Sequence, residues 1–327
     1  MHLGALALAL VLFTVRSPPG AQQARKVPTI GVLNAHAASA LLPFTAVLLE
    51  ALREHGYVDG QNVRIEYRFA DGNVERLPHL AAELVRLNVD VILANTDASA
   101  LAAKRASGAI PIVFAYVTDP VALGLVASLA RPGENATGLT NIGVELTQKR
   151  LAMLKEALPW VRKVGILKAP ASLSPDVMAF MKEINTAAKT LRLEVSVEEV
   201  KEPESFDRAL AAMKREQVGA VLLIPTSLFY AHRGRLGELA KRKKLPLMGW
   251  LREFPEAGAL LAYGVNTADV QRPAAAYLAR ILKGAKPADL PVEQPTKFEL
   301  VINLETAKVL GLTIPPSLRL QADRVIE

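Results

Sequence analysis

Residues 110–138 read IPIVFAYVTDPVALGLVASLARPGENATG. From Pro111 to Tyr116 mainly apolar residues follow one another without polar alternation, the pattern of a strand buried on both faces of a parallel sheet. Such a strand points its carboxyl end at Thr118-Asp119. Asp119 before Pro120 has the chemistry of a helix start: a short carboxylate accepts unpaired N–H groups, and proline fits the first helical position without losing a hydrogen bond. The spacing predicts a helix that stops at Arg131-Pro132-Gly133. In open α/β sheets ligands sit beyond the carboxyl ends of strands, beside helix N-termini. The stretch is therefore expected to form one wall of a ligand site.

Toward the N-terminus the same alternation continues. Strands are expected over Val27–Leu33, Asn62–Phe69 and Val89–Ala94, and helices over Leu41–His55, Glu75–Leu87 and Asp97–Ser107. This is a run of βα units, which builds a parallel sheet. Toward the C-terminus the pattern repeats. Val164-Gly165-Ile166-Leu167 echoes Ile30-Gly31-Val32-Leu33 at an offset of 164 − 30 = 134. Val218–Ile224 echoes Val89–Ala94 at 218 − 89 = 129, and Leu245–Met248 echoes Ile110–Val113 at 245 − 110 = 135. Three nearly constant offsets in one order indicate two lobes on one plan. Further strands are expected over Ala259–Tyr263 and Phe298–Asn303, with helices over Ala268–Leu282 and Leu304–Leu310.

With 327 residues, 51% of them hydrophobic, the chain can bury a large core, and its length favours two domains. Charged residues make up 22% and are well mixed, and the formal charge of +7 is spread along the chain, which argues against a nucleic-acid partner. The densest basic run, residues 241–244, closes an expected helix, where cations complement the C-terminal dipole. The absence of cysteine excludes disulfides, thiolate metal sites and a lipid-modified N-terminal cysteine. Leu3–Phe13 is a short apolar run followed by a small-residue, turn-rich stretch through Ala24. It predicts a secretory signal over residues 1–24, cut near Ala21 or Ala24, and is too short for a membrane span.

Three stretches carry a family resemblance: IPIVFAYVTDPVALGLVASLARPGENATGLT at 110–140, REFPEAGALLAYG at 252–264, and LKGAKPADLPVEQPTKFELVINLETAKVLGLTIPPSL at 282–318. They resemble the ABC-transporter substrate-binding protein family that includes tryptophan-binding members. The resemblance implies a type I periplasmic-binding-protein fold, an α/β architecture of two Rossmann-like lobes with parallel sheets joined by a three-crossover hinge. On that plan residues 27–139 with 266–289 form the N-terminal lobe, and 140–265 with 290–327 the C-terminal lobe. It further implies an exported, periplasmic, monomeric receptor that closes over a small-molecule solute and hands it to an ABC permease with its ATPase, with no cofactor and no catalysis. Two loops depart from the family pattern. Asn95-Thr96-Asp97-Ala98-Ser99 stands where many relatives have a glycine-rich loop, and Lys168-Ala169-Pro170-Ala171 replaces Asn-Pro-Asn-Asn.

Polar and aromatic residues just beyond the expected strands are the candidate ligand contacts. They are Asn34, His36, Asn95, Thr96, Tyr116 and Asp119 in the first lobe, Lys168, Thr226, Ser227 and Trp250 in the second, and Tyr263 near a crossover. Amides, hydroxyls, aromatics, a carboxylate and an ammonium suit a small polar or aromatic solute, amino-acid-like above all. Asp119 is expected to meet a ligand amine and Lys168 a carboxylate. The competing roles are a helix cap for Asp119, a solvated side chain for Lys168, a loop position for His36 and interlobe core for Trp250. Enzyme signatures are absent: no G-x-G-x-x-G, P-loop, H-E-x-x-H or G-x-S-x-G occurs, and the five histidines have no metal-ligand spacing. A receptor that signals through a membrane protein, and a two-lobed α/β enzyme, are the alternatives.

Overall fold

The structure is a computed structural model that describes residues 27–38, 42–170 and 176–327. The expected signal peptide and its cleavage site lie outside the described residues. In chain order the first half runs β1 (Thr29–Asn34), α1 (Leu42–Glu54), β2 (Arg64–Phe69), α2 (Leu77–Arg86), β3 (Val91–Ala94), α3 (Asp97–Ala106), β4 (Ile112–Val117) and β5 (Ala136–Thr140). The second half runs α4 (Leu146–Ala157), β6 (Lys163–Lys168), α5 (Val177–Leu191), β7 (Glu194–Glu199), α6 (Phe206–Arg215), β8 (Ala220–Leu223), α7 (Ser227–Ala231), α8 (Arg233–Arg242), β9 (Leu247–Gly249), α9 (Glu253–Glu256) and β10 (Leu261–Gly264). α10 (Ala268–Leu282), β11 (Glu299–Asn303), α11 (Leu304–Leu310), α12 (Pro316–Gln321) and β12 (Arg324–Ile326) complete it. Among the described residues no helix is long and apolar enough to cross a membrane.

One sheet has the order β2-β1-β3-β4-β5, and the other β12-β11-β10-β9-β8-β6-β7. Read from β7, the second sheet repeats the first, β7-β6-β8-β9-β10 against β2-β1-β3-β4-β5, and then adds β11 and β12. The three sequence echoes fall on β1 and β6, β3 and β8, and β4 and β9. All pairs are parallel except β10 with β11. The duplication extends to packing. A Cβ on Gly31 would stand 3.0 Å from Leu84, and one on Gly165 2.7 Å from Met213 and 3.0 Å from Val218. In both halves the first strand uses glycine so that the helix before the third strand can lie close against the sheet.

Each sheet is covered on both faces, so strand interiors are apolar throughout: Val91–Ala94 and Ala220–Leu223 are wholly buried. Full burial of each valine, leucine or isoleucine contributes roughly 1.5–3 kcal/mol. The chain passes between the sheets three times, at 141–145, 265–267 and 294–298. α10 returns to the first sheet, packing on α1 and β4. The third passage starts later than the expected boundary at residue 290. Leu290 and Val292 are buried in the core clusters of the first sheet. Glu293 then extends that sheet, its N–H donating to Gly138 O at 3.0 Å and its carbonyl accepting from Thr140 N at 2.9 Å.

The helix expected from Asp119 to Arg131 is absent. The chain makes successive turns there, in which Asp119 Oδ1 accepts from the N–H groups of Val121 and Ala122 at 3.1 and 3.0 Å. Gly124 takes φ +68°, a left-handed conformation that ends the turn before a helix can propagate. Leu125 and Val126 bury themselves against the first sheet from this turn instead of from a helical face.

Candidate functional site

β3 ends in Asn95-Thr96 before α3, and β8 leads through Ile224-Pro225-Thr226 into α7. Thr96 Oγ1 accepts from Ser99 N at 3.2 Å and Thr226 Oγ1 from Leu228 N at 3.4 Å, so both halves present the same strand, threonine cap and helix start. Both turns line one cavity between the sheets, with an empty volume of about 770 Å³ including space open to solvent. Asn34, His36, Asn95, Thr96, Tyr116, Thr226, Ser227 and Trp250 all face it.

Asn34 ends β1 fully buried. Its Oδ1 accepts from His36 N at 3.0 Å, while its Nδ2 is buried and finds no partner. Leaving such a donor unpaired costs roughly 1–3 kcal/mol, which an acceptor on a bound solute would recover. Burial and then the nearby Arg233 lower the His36 pKa to about 4, so the imidazole is neutral. Its ring lies 4.8 Å from that of Tyr230 on the other side of the cleft. Asn95 Oδ1 accepts from Gln271 Nε2 at 3.3 Å. Trp250 packs on Phe254 at 4.3 Å while keeping an edge on the cavity, so its core and cavity roles coincide.

Tyr116 is aimed by a β-bulge. Phe114 pairs with Gly138 and Val117 with Thr140, so Ala115 and Tyr116 together oppose Leu139. Tyr116 adopts φ +65°, a strained conformation for a non-glycine residue. Asn141 Nδ2 holds its carbonyl at 2.9 Å, and its hydroxyl donates to Val265 O at 3.3 Å, so two of the three passages grip it. The bulge depends on Gly138, where a Cβ would stand 1.9 Å from Phe114 O.

Three candidates lie elsewhere. Asp119 is exposed and spends its carboxylate on the turn it caps. Lys168 pairs with Glu199, its direct neighbour in the β6–β7 register, and is not among the residues that line the cavity. Tyr263 packs its ring on Phe298 at 6.1 Å, and its carbonyl accepts from the buried Arg150 Nε at 2.8 Å.

Strand-end reasoning missed Phe44, Asp97, Asn141, Asp176, Tyr230 and Gln271, which also line the cavity. Asp97 was legible as the residue after a candidate threonine; Asn141 as the first polar residue past β5. Gln271 and Phe44 come from helices, where sequence gives no cue to which face meets a cleft. Asp97 is held by Thr118, whose N–H and hydroxyl donate to its two oxygens at 2.8 and 3.0 Å. Burial, and next the charge of Asp176, raise the Asp97 pKa to about 7. No lysine or arginine is among the described lining residues, and no group of three or more potential metal ligands occurs among the described residues.

This cavity lies between two sheets of one plan, each contributing the carboxyl ends of its parallel strands. The model of the ABC transporter substrate binding protein family matches residues 29–326. The chain belongs to this family. The substrate-binding protein is 27% identical over 281 residues to the tyrosine-binding protein of Clostridioides difficile strain R20291, covering 85% of this chain and 77% of that one. A solved conserved domain protein from Vibrio cholerae O1 biovar El Tor superposes with a TM-score of 0.86 at 27% identity, over 92% of this chain and all of that one. The ABC domain from Streptococcus pneumoniae in complex with L-Trp superposes with a TM-score of 0.84 at 25% identity, over 91% and 99% of the two chains. The fold is that of type I periplasmic binding proteins. Substrate-binding proteins of this family act outside the cytoplasmic membrane, binding small molecules for ABC transporters.

Proposed function

We propose that the protein is the exported, periplasmic receptor of an ABC importer, and that it binds a small amino acid-like solute, aromatic ones favoured, between its lobes. The observation that carries this reading is the cavity itself. It is lined from both sheets, it holds a buried unpaired amide donor, and it combines Phe44, Tyr116, Tyr230 and Trp250 with convergent hydroxyl and amide groups. The similarity to a tyrosine-binding protein and to an L-Trp complex supports the same solute class.

The mechanism is equilibrium binding coupled to hinge closure, with no covalent step. Phe44 and Tyr116 from the first sheet already pack against the core cluster of the second, beside Trp250, Tyr230 and Phe254. Opening about the three passages would expose these rings, and a solute that contacts both lobes would favour the closed form by its differential affinity. The moving lobes would be residues 27–139 with 266–293 and 140–265 with 294–327, after removal of residues 1–24. The closed monomer would then dock on a permease driven by its ATPase.

A thermal-shift panel of amino acids, aromatic acids, sugars and purines on ligand-stripped protein tests the reading. A solute at about a hundred times its Kd adds roughly 2.7 kcal/mol of stability. L-tyrosine or L-tryptophan should raise Tm and shrink the scattering radius, and be recovered unchanged. A sugar or purine hit with no amino acid response would refute the solute class.

A further inference from the structure

A closed circuit of hydrogen bonds runs through the passages between the sheets, beginning and ending at Tyr116. The Tyr116 carbonyl accepts from Asn141 Nδ2 at 2.9 Å, and Asn141 Oδ1 in turn accepts from Gly143 N at 2.7 Å. Gly143 O accepts from Arg150 Nη1 at 2.9 Å, and Arg150 Nε donates to Tyr263 O at 2.8 Å. Two residues further on, Val265 O accepts the Tyr116 hydroxyl at 3.3 Å and closes the circuit. Asn141 and Gly143 belong to the first passage and Val265 to the second, so both are tied to one side chain. Arg150 is 3% exposed, yet both of these acceptors are neutral carbonyls. An apolar side chain could fill the same space without the cost of burying a charge. What the guanidinium contributes is its fork, which holds the two carbonyls at a fixed spacing. Tyr116 keeps φ +65° and packs against the core clusters of both sheets. It lines the cavity, whereas Arg150 does not.

Resting on the receptor reading above, we infer that this circuit couples the solute to the hinge. Tyr116 is the contact through which a bound solute acts on the first two passages, and Arg150 is the positioning residue that makes them bend as one. A solute packed on the Tyr116 ring fixes its carbonyl and its hydroxyl together, and with them both passages. Without the circuit each passage bends separately, and the closed arrangement loses hydrogen bonds that favour it over the open one. Arg150 acts on the solute through the hinge alone.

The chain has no cysteine, so Glu75→Cys and Arg208→Cys, at exposed positions on the first and second lobes, accept one spin label each. Pulsed dipolar spectroscopy then reads the distance between the lobes with and without saturating L-tyrosine, beside calorimetric titration of the same proteins. Tyr116→Phe keeps the ring and removes the bond to Val265. Arg150→Lys keeps the charge, but one ammonium does not reproduce the fork. Each should raise the ratio of open to closed ligand-free protein about three- to tenfold, the worth of one hydrogen bond, and saturating L-tyrosine should restore the closed distance. Together they should open the protein no further than either alone, since both break one circuit. An unmoved ligand-free distance in Tyr116→Phe, even with weaker L-tyrosine binding, reduces Tyr116 to a direct contact and overturns the coupling, as do effects of the two substitutions that simply add. If Arg150→Lys does not fold, the Tyr116→Phe distance decides by itself. A wild-type distance that L-tyrosine leaves unchanged overturns closure on an aromatic amino acid, and this inference with it.

Discussion

Ligand-free Asp97→Asn protein should be more stable than wild type at pH 8 and no more stable at pH 4. The wild-type carboxyl titrates near 7 in the folded protein against 3.8 as its ordinary value. At about 1.4 kcal/mol per pH unit, that difference of roughly 3 units sets a ceiling near 4 kcal/mol on what ionised Asp97 costs the fold. The side chain lies at the wall of a cavity open to water, so screening reduces this to about 2 kcal/mol. Asparagine keeps the shape and both links to Thr118, its Oδ1 accepting from the N–H and its Nδ2 donating to the hydroxyl.

The sign follows from proton binding. Between pH 3.8 and about 7 the folded state holds more protons at Asp97 than the unfolded chain, so stability falls as pH rises through that window. His36 does the reverse. Its folded pKa lies at about 4 against 6.5, so the unfolded chain holds more protons in between, and stability rises with pH up to 6.5. The two slopes oppose each other in wild type. Asp97→Asn removes one and should unmask the other. Calorimetric melts from pH 4.5 to 8.5 should show a flatter wild-type profile than the variant's, the two diverging by a few degrees at pH 8. A difference that does not change with pH, or a variant less stable at pH 8, would refute the argument.

Gly138→Ala should cost about 3 kcal/mol or more and abolish binding, because its Cβ would sit 1.9 Å from Phe114 O and force β4 from β5, moving Tyr116; denaturant titration and calorimetry would show both losses. Lys168→Ala should change stability by about 0.5 kcal/mol or less and leave affinity unchanged, since its partner Glu199 is at the sheet surface. Asp119→Ala should lose about 1 kcal/mol through its two turn hydrogen bonds, again with affinity unchanged; a loss of affinity beyond twofold would return it to the site. Arg150→Met should destabilise by about 2–4 kcal/mol in urea, because the carbonyls of Gly143 and Tyr263 lose their buried donor.

What was legible in the sequence follows how local its cause is. The run Pro111–Tyr116 announced β4 because burial on both faces removes polar alternation, whatever lies nearby. Eight strand-end residues reached the cavity because parallel strands of one sheet must end on one side. Asp119 misled because Asp-Pro suits a helix cap and an isolated turn equally; Gly124, five residues on, decided between them. Lys168 misled because its partner Glu199 is fixed by the β6–β7 register, which no local pattern encodes. The bulge that aims Tyr116 needed Gly138, a neighbour only after β4 and β5 pair.

Asp97 and Asp176 are 176 − 97 = 79 residues apart, and only the meeting of the two halves brings both to the wall of one cavity. The duplication nevertheless explains why the cavity has a direction. Thr96-Asp97 and Thr226-Ser227 occupy the same strand-to-helix turn in the two halves, at an offset of 226 − 96 = 130, within the spread of the three strand echoes. The threonines are retained as caps in both, because each helix start needs an acceptor for its free N–H groups. The next residue has diverged, to a carboxylate on one side and a hydroxyl on the other. A duplicated scaffold by itself presents two equal turns to a ligand and cannot orient one. The Asp/Ser difference breaks that symmetry, placing a carboxyl group at one turn and a hydroxyl at the other. On the receptor reading proposed above, an amino-acid solute is expected to turn its carboxylate toward Ser227, and Ser227→Asp should then weaken L-tyrosine while sparing tyramine; equal losses for the two would refute that orientation.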